Sequence, residues 1–302
     1  MDIAVGMDVD GPLEKTLERA SGLRERGFTR VWSSQIFGPD TLTVFAVVGR
    51  EYRDLDLGTA VVPIQTRHPT MLAAQARTVQ DAIGGRLSLG IGLSHKAVVE
   101  GMWGISFDHP ASYMGEYLEA LAPMLRGERV KVRGERVSAT TIGVLGPSEV
   151  RTPGLLVAAL APKMLEMAGT LTDGTLTWMT GVKTIATHVV PTINAAAAKS
   201  GRPTPRVVCS LPISVTGDVA DTMTKVNERL EIYGTLPSYR AMLDREGAKG
   251  PADVGLFGTR EQVLEKLHEL AEAGVTEFSA SMAGGIDDRD ETYDTLLEYQ
   301  SM

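Results

Sequence analysis

The sequence predicts an α/β fold, a closed (β/α)8 TIM barrel, and three observations carry that reading. Eight short apolar runs rich in β-branched residues recur along the 302 residues. Each is followed by a stretch with apolar residues at i, i+3/i+4 and i+7, the period of a helix with one buried face. Runs such as 55–62 and 155–160 are hydrophobic throughout rather than alternating, as parallel strands covered by helices are. Eight βα alternations favour a closed barrel over an open doubly wound sheet.

In order, the strands are expected at 3–6, 30–34, 55–62, 86–92, 155–160, 174–179, 207–215 and 276–282. After the first, Leu13, Leu17, Ala20 and Leu23 form a helical stripe that stops at Gly27, a residue suited to ending a helix. After the third, Leu72, Ala76, Val79 and Ile83 form another, opened by Pro69 and closed by Gly84-Gly85. Residues 127–153 break the rhythm, and the alternating run 130–137 reads as a hairpin inserted before the fifth strand. Residues 234–258 are polar and hold Pro237, Gly247, Gly250 and Pro251, which predicts a mobile loop or lid before the last helix–strand unit. Thr259 followed by Gln262 is a capping box for the helix carrying Val263, Leu267 and Leu270. Residues 1–302 are expected to form one domain.

Composition narrows the function. Lys+Arg 30 against Asp+Glu 38 gives a net charge of -8 without a basic stripe, so no nucleic-acid partner is expected. The single cysteine, Cys209, excludes an intrachain disulfide framework and any CxxC motif, and it reads as core filler within an apolar strand. No apolar run approaches the roughly 20 residues that span a bilayer, and no basic segment opens the chain; a cytoplasmic protein without a membrane partner is expected. The histidines form neither HxH nor HExxH, and Asp8 and Asp10 lack calcium-loop spacing, so no metal site is expected. Gly90-Ile91-Gly92 could begin a dinucleotide fingerprint, but His95 stands at the third glycine position.

Catalysis in such a barrel takes place at the C-terminal ends of the strands. The residues falling there are Met7 and Asp8, then 33–35, 60–63, 92–95, 160–163, 178–181, 214–215 and 281–282. This rim is poor in carboxylates and rich in methionine, small residues and backbone donors, which suits chemistry performed by a bound organic cofactor. Leu160, Ala161, Pro162 and Lys163 end a strand and start a helix, an arrangement that favours an anion. Gly92, Leu93, Ser94, His95 and Lys96 offer a second platform, with His95 as a candidate catalytic group.

Several segments then resemble a known family in combination. Gly58-Thr59-Ala60-Val61-Val62-Pro63, Arg67-His68-Pro69 and residues 84–92 resemble the central signature of the bacterial luciferase-like monooxygenase superfamily. Residues 158–162, Met164 to Gly169, Asp173-Gly174, Phe257-Gly258-Thr259 and Ala273-Gly274-Val275 resemble its later blocks. Residues 31–37 with Asp40, and Ser94-His95-Lys96 with Glu100-Gly101-Met102, resemble the coenzyme F420-dependent oxidoreductases within it.

The resemblance implies a luciferase-like barrel with a deazaflavin across the strand ends, and a non-prolyl cis peptide between Ala60 and Val61 beneath the ring. Gly58 and Ala60 would leave room for that ring. Ser34, Leu93, Ser94, Leu160, Ala161, Lys163 and Trp178 would contact the cofactor, with Lys183, Lys96 and Arg67 as further cations for its anionic tail. Met7, Met102, Met179 and Met282 would wall a soft substrate pocket. Related sugar-phosphate dehydrogenases place an Asp-His pair where Ser34-Gln35 stands here. Glutamine cannot act as a base, so reduction of C=C, C=N or C=O by hydride from the deazaflavin C5 is favoured, with His95 and Gln35 as catalytic candidates. The alternatives are an FMN-dependent monooxygenase and a non-catalytic cofactor-binding barrel. A homodimer acting on a small-molecule substrate is implied.

Overall fold

Ile3, Ala4 and Val5 are buried between two neighbouring strands that run parallel to their own, and the same arrangement repeats around a ring. The structure, a computed structural model, describes residues 1–302 except Ile36, Val144, Leu145, Pro147, Ser148 and Val150; of Ile286 and Asp287 only the backbone is described. Ile36 of the segment 31–37, and the five positions within the insert 127–153, therefore lie outside the described residues.

In chain order the strands are β1 (Asp2–Gly6), β2 (Arg30–Ser33), β3 (Asp56–Thr59), β4 (Val62–Pro63), β5 (Leu87–Gly92) and β6 (Lys131–Arg133). They continue with β7 (Ser138–Thr140), β8 (Gly154–Ala158), β9 (Gly174–Trp178), β10 (Arg206–Val215), β11 (Leu256–Gly258) and β12 (Glu277–Met282). The barrel runs β1, β2, β3, β5, β8, β9, β10, β12 and back to β1, every pair parallel. Pairing of β10 with both β9 and β12 closes the ring. The eight barrel strands lie where the apolar runs predict them. The third departs in one respect: it is interrupted after Thr59 and resumes as β4, which pairs with the upper part of β5.

Local signals place the outer helices. The helix Leu13–Arg26 stops because Gly27 adopts φ 110 and turns its N–H back to the carbonyls of Leu23 and Arg24. Asp40 caps the helix Thr41–Glu51 by accepting from Thr43 N at 2.8 Å. His68 precedes Pro69 as the cap of Pro69–Ala82, and Thr259 with Gln262 forms the expected capping box of Arg260–Glu272.

Two expectations need correction. The inserted hairpin exists, but its second arm is β7, which follows the run 130–137 rather than completing it. Residues 234–258 are not a loop. They form the helix Pro237–Glu246, the short 3-10 turn Pro251–Val254 and β11, preceded by the helix Glu231–Thr235. The composition is polar because the two helices fully bury only Met242 and Leu243 and leave their other side chains half-buried or exposed.

The barrel interior is filled in layers. At the N-terminal ends of the strands Glu277 is buried, accepting from Trp32 Nε1 and, at 2.9 Å, from Arg206. Arg30 lies 3.7 Å from the same carboxylate and also pairs with Asp2. A cavity of about 520 Å³ opens at this end, lined by Arg30, Asp56, Arg86, Arg206 and Glu277 among others. Above it the Trp32 indole packs with Ala4, Leu156, Leu176 and Val208, and Ala60 and Val61 rest on that apolar cluster. Gly58 serves this layer: a Cβ there would stand 2.3 Å from the Trp32 ring. Its missing side chain makes room for the indole inside the barrel, not for a ligand ring at the mouth as the resemblance implied.

Candidate active site

The mouth is assembled from the segments that leave the C-terminal ends of the barrel strands. The peptide joining Ala60 to Val61 is cis, at the position the resemblance gave. Pairing between β3 and β5 reaches Gly58 and Ser88, then resumes as Val62 opposite Ile91. Within the gap Thr59 Oγ1 accepts from Gly90 N at 2.9 Å and donates to Gly90 O at 2.8 Å. Ala60 N donates to Ser33 O at 2.7 Å, and Gln35 N donates to Val61 O at 3.2 Å. These bonds hold Ala60 and Val61 as a half-buried shelf. Gly92 completes it, since a Cβ there would come 2.5 Å from Val61 Cγ2.

Ser34 is exposed and Gln35 half-buried beside that shelf. Gln35 Oε1 accepts from Thr41 N at 2.6 Å, so its side-chain carbonyl is engaged in starting the helix Thr41–Glu51.

Opposite, two non-glycine residues among those described after barrel strands have left-handed backbone: Ser94 at φ 57 after β5, and Met179 at φ 52 after β9. Such conformations are uncommon without glycine and cluster at functional sites. His95, next to Ser94, is half-buried, and desolvation holds its imidazole below the ordinary 6.5, favouring the neutral ring. Its ring lies 5.7 Å from that of Tyr239, Tyr239 lies 5.1 Å from Tyr233, and Tyr233 lies 5.8 Å from Trp178. This aromatic row, tilted at His95 and edge-on between Tyr239, Tyr233 and Trp178, joins the end of β5 to the end of β9. Burial pushes both tyrosine hydroxyls up, an effect partly offset at Tyr233 by the Trp178 N–H. Gln65 Oε1 and Trp178 Nε1 are buried without a hydrogen-bond partner of good geometry among the described residues.

After β8, Ala161 caps the helix Pro162–Leu171, and no acceptor among the described residues takes the Ala161 and Lys163 N–H groups. Leu160 is half-buried, and its carbonyl accepts from His188 Nε2 at 2.8 Å. His188 sits in the π-helical turn Ile185–Val189, a distortion often found beside functional sites. Lys163 and Lys183 are exposed and have no carboxylate within ion-pair distance among the described residues. Arg67, expected to be available for an anionic tail, is instead tied to Asp40, and Lys96 lies 3.7 Å from Glu100. Leu93 is half-buried, and its carbonyl accepts from Gln65 Nε2.

The methionine wall is mostly absent. Met7 and Met179 are buried in the core, Met102 is 65% exposed beyond the short helix Lys96–Gly101, and Met282 is half-buried at the end of β12. Side-chain direction decided this: the left-handed turn at Met179 sends it inward and leaves Trp178 at the mouth. Sequence reasoning missed Tyr233, Tyr239 and Glu246. The available signal was Pro237 opening a helix with Met242 and Leu243 adjacent on one face.

Among the described residues no three His, Cys, Asp or Glu side chains gather as they would around a metal ion. No helix is long and apolar enough to cross a membrane, again among the described residues.

The chain is a closed parallel (β/α)8 barrel with a cis shelf after its third strand. Residues 2–277 match the luciferase-like monooxygenase family, and the chain belongs to it. It is 26% identical to a 5,10-methylenetetrahydromethanopterin reductase of Methanolobus tindarius, over 89% of this chain and 90% of the relative. It is 29% identical to a putative coenzyme F420-dependent oxidoreductase of Mycobacterium tuberculosis, over 55% of this chain and 51% of the relative. Among solved structures, the coenzyme F420 dependent tetrahydromethanopterin reductase of Methanopyrus kandleri superposes with a TM-score of 0.80 at 22% identity, covering 98% of this chain and 96% of that one. The oxygenating constituent of 3,6-diketocamphane monooxygenase from Pseudomonas putida, in complex with FMN, gives 0.75 at 16% identity, covering 98% and 96%. The family is thus that of luciferase-like monooxygenases, and the fold is shared with solved oxidoreductases whose names carry F420 or FMN.

Proposed function

We propose that the protein is a coenzyme F420-dependent oxidoreductase moving hydride between the deazaflavin and a small, neutral organic substrate. The observation that carries this reading is the mouth itself. It presents a backbone shelf, an aromatic row, a neutral histidine and free main-chain donors, while the nearby carboxylates of Asp40 and Glu246 are already engaged by protein donors.

The residues present fit a flat ring with a phosphate tail. The Ala60–Val61 shelf rests on an apolar floor, and at the mouth buried polar atoms of Gln65 and Trp178 lack good partners among the described residues. The Ala161 and Lys163 amides at a helix N-terminus suit an anion, and Lys163 adds charge. When bound, the deazaflavin supplies hydride chemistry at C5. The chain's own residues do the rest. Ala60 and Val61 support the ring, Leu160, Ala161 and Lys163 hold the phosphate, and Leu93, Ser94 and Ser34 meet the ring's polar edge. Trp178, Tyr233 and Tyr239 exclude water. His95 holds or releases the proton that accompanies hydride transfer. Gln35 cannot take up a proton, which favours reduction of the substrate over alcohol oxidation.

Fluorescence titration with F420 and with FMN tests the cofactor. Tight FMN binding without F420 binding would establish the monooxygenase reading, which the FMN-bound neighbour favours. Turnover of reduced F420 with a panel of enones and imines tests catalysis; no turnover with any of them would favour the non-catalytic barrel. A cytoplasmic homodimer belongs to the same reading, and sedimentation velocity measures its size.

A further inference from the structure

We propose that Glu246 is a positioning residue that latches the aromatic roof over the mouth and so governs ligand exchange. The roof is the helix pair Glu231–Thr235 and Pro237–Glu246, which carries Tyr233 and Tyr239. In its first helix only Tyr233 and Gly234 are half-buried and the other residues are exposed, so that part is held chiefly through the Tyr233 ring. Its second helix ends at Glu246, where Gly247 at φ 83 terminates the turn.

Glu246 reaches across to the helix beginning at Val182, accepting from Lys183 N at 3.1 Å and from Thr184 N at 2.8 Å. A carboxylate at a helix N-terminus is stabilised by charge-assisted hydrogen bonds and by the dipole. The partner surface is shaped for it: a Cβ on Gly181 would stand 2.4 Å from Glu246 Cδ. Thr184 Oγ1 also donates to Met242 O at 3.3 Å. Tyr239 lies about two turns from Glu246 on the same helix. The latch therefore fixes where Tyr239 meets His95 and where Tyr233 meets Trp178.

The latch is tested without any ligand. Trp32 is 3% exposed, so in a Trp103→Phe background Trp178 is the tryptophan that responds to the roof. Glu246→Ala is expected to raise acrylamide quenching of that emission about twofold, with Glu246→Gln intermediate, as local opening exposes the indole. Gly181→Ala leaves the carboxylate in place but occupies its seat, and is expected to reproduce the effect. Asp244→Asn, on the same helix but facing Arg240, is expected to change nothing. In the unmodified chain the Lys183 and Thr184 amides are expected to exchange slowly with deuterium. Unchanged quenching in folded Glu246→Ala and Gly181→Ala proteins would overturn the proposal, and so would fast exchange at both amides.

The consequence for ligands rests on the proposed function. Cofactor dissociation from Glu246→Ala is expected to quicken about tenfold, the weight of one hydrogen bond to a charged group, with association little changed. An unaltered dissociation rate would remove the role in exchange. A chain that binds neither F420 nor FMN would defeat the functional reading and leave the quenching and exchange results standing on their own.

Discussion

Thr59 Oγ1 serves both backbone groups of Gly90, accepting from its N–H at 2.9 Å and donating to its carbonyl at 2.8 Å. One hydroxyl thus replaces the rungs lost where β3 parts from β5. Both residues lie in the interior, where an unpaired amide or carbonyl is expensive. Thr59→Val keeps the shape and removes both bonds, so it is expected to cost about 1–3 kcal/mol in urea unfolding, and Thr59→Ser much less. An unshifted midpoint for the valine variant would show that Gly90 finds other partners.

Glu277 anchors the lower end of the barrel, its side chain 4% exposed between Trp32 and Arg206. Its cationic partners Arg206 and Arg30 are about one-third exposed and keep contact with water when the carboxylate is removed. Glu277→Ala is therefore expected to cost chiefly the bonds it breaks, about 1–3 kcal/mol, whereas Glu277→Gln retains an acceptor for the Trp32 indole and costs less. Denaturant titration followed by tryptophan emission reports both values, and the same probe registers the altered environment of Trp32.

His95 should leave a mark on stability against pH. Its folded pKa lies below the ordinary 6.5, so the unfolded chain binds the proton more readily. The associated stability is present above 6.5 and is lost as pH falls toward the folded value, below which the loss is constant. Thermal melts between about pH 7 and pH 5 are expected to show a flatter slope for His95→Asn. With His95 as the proton donor, kcat/KM also falls as pH rises through that depressed pKa, and the asparagine variant lacks this limb.

Cys209 is expected to be inert. Burial pushes its thiol up to about 12, leaving roughly one thiolate in ten thousand at pH 8. Iodoacetamide should fail to label the native chain and should label it fully in denaturant, as read by intact mass. Rapid native labelling would mean that β10 opens far more often than a closed barrel permits.

The barrel was legible because its strands are covered on both faces, so uniform apolar runs mark them. Helix ends were legible where the signal is local, as at Gly27 and at Thr259 with Gln262. Features that join distant parts of the chain were not. Nothing near Gly58 says that the Trp32 indole fills its space, and nothing near Gly181 points to Glu246. The roof escaped notice because short helices with one shallow buried face have the composition of a loop. Met7 and Met179 have suitable chemistry for a pocket, but only the path of the backbone reveals that they face the core.

The Ala161 and Lys163 amides have a consequence for how such a chain changes over generations. A main-chain N–H belongs to every residue except proline, so exchanging side chains at those two positions leaves the donors in place. In the proposed reading, drift can rewrite Trp178, Tyr233 and Tyr239 while the donors offered to the cofactor's phosphate persist. New substrates are then reached by altering one wall of the mouth, without rebuilding the anchor on the other.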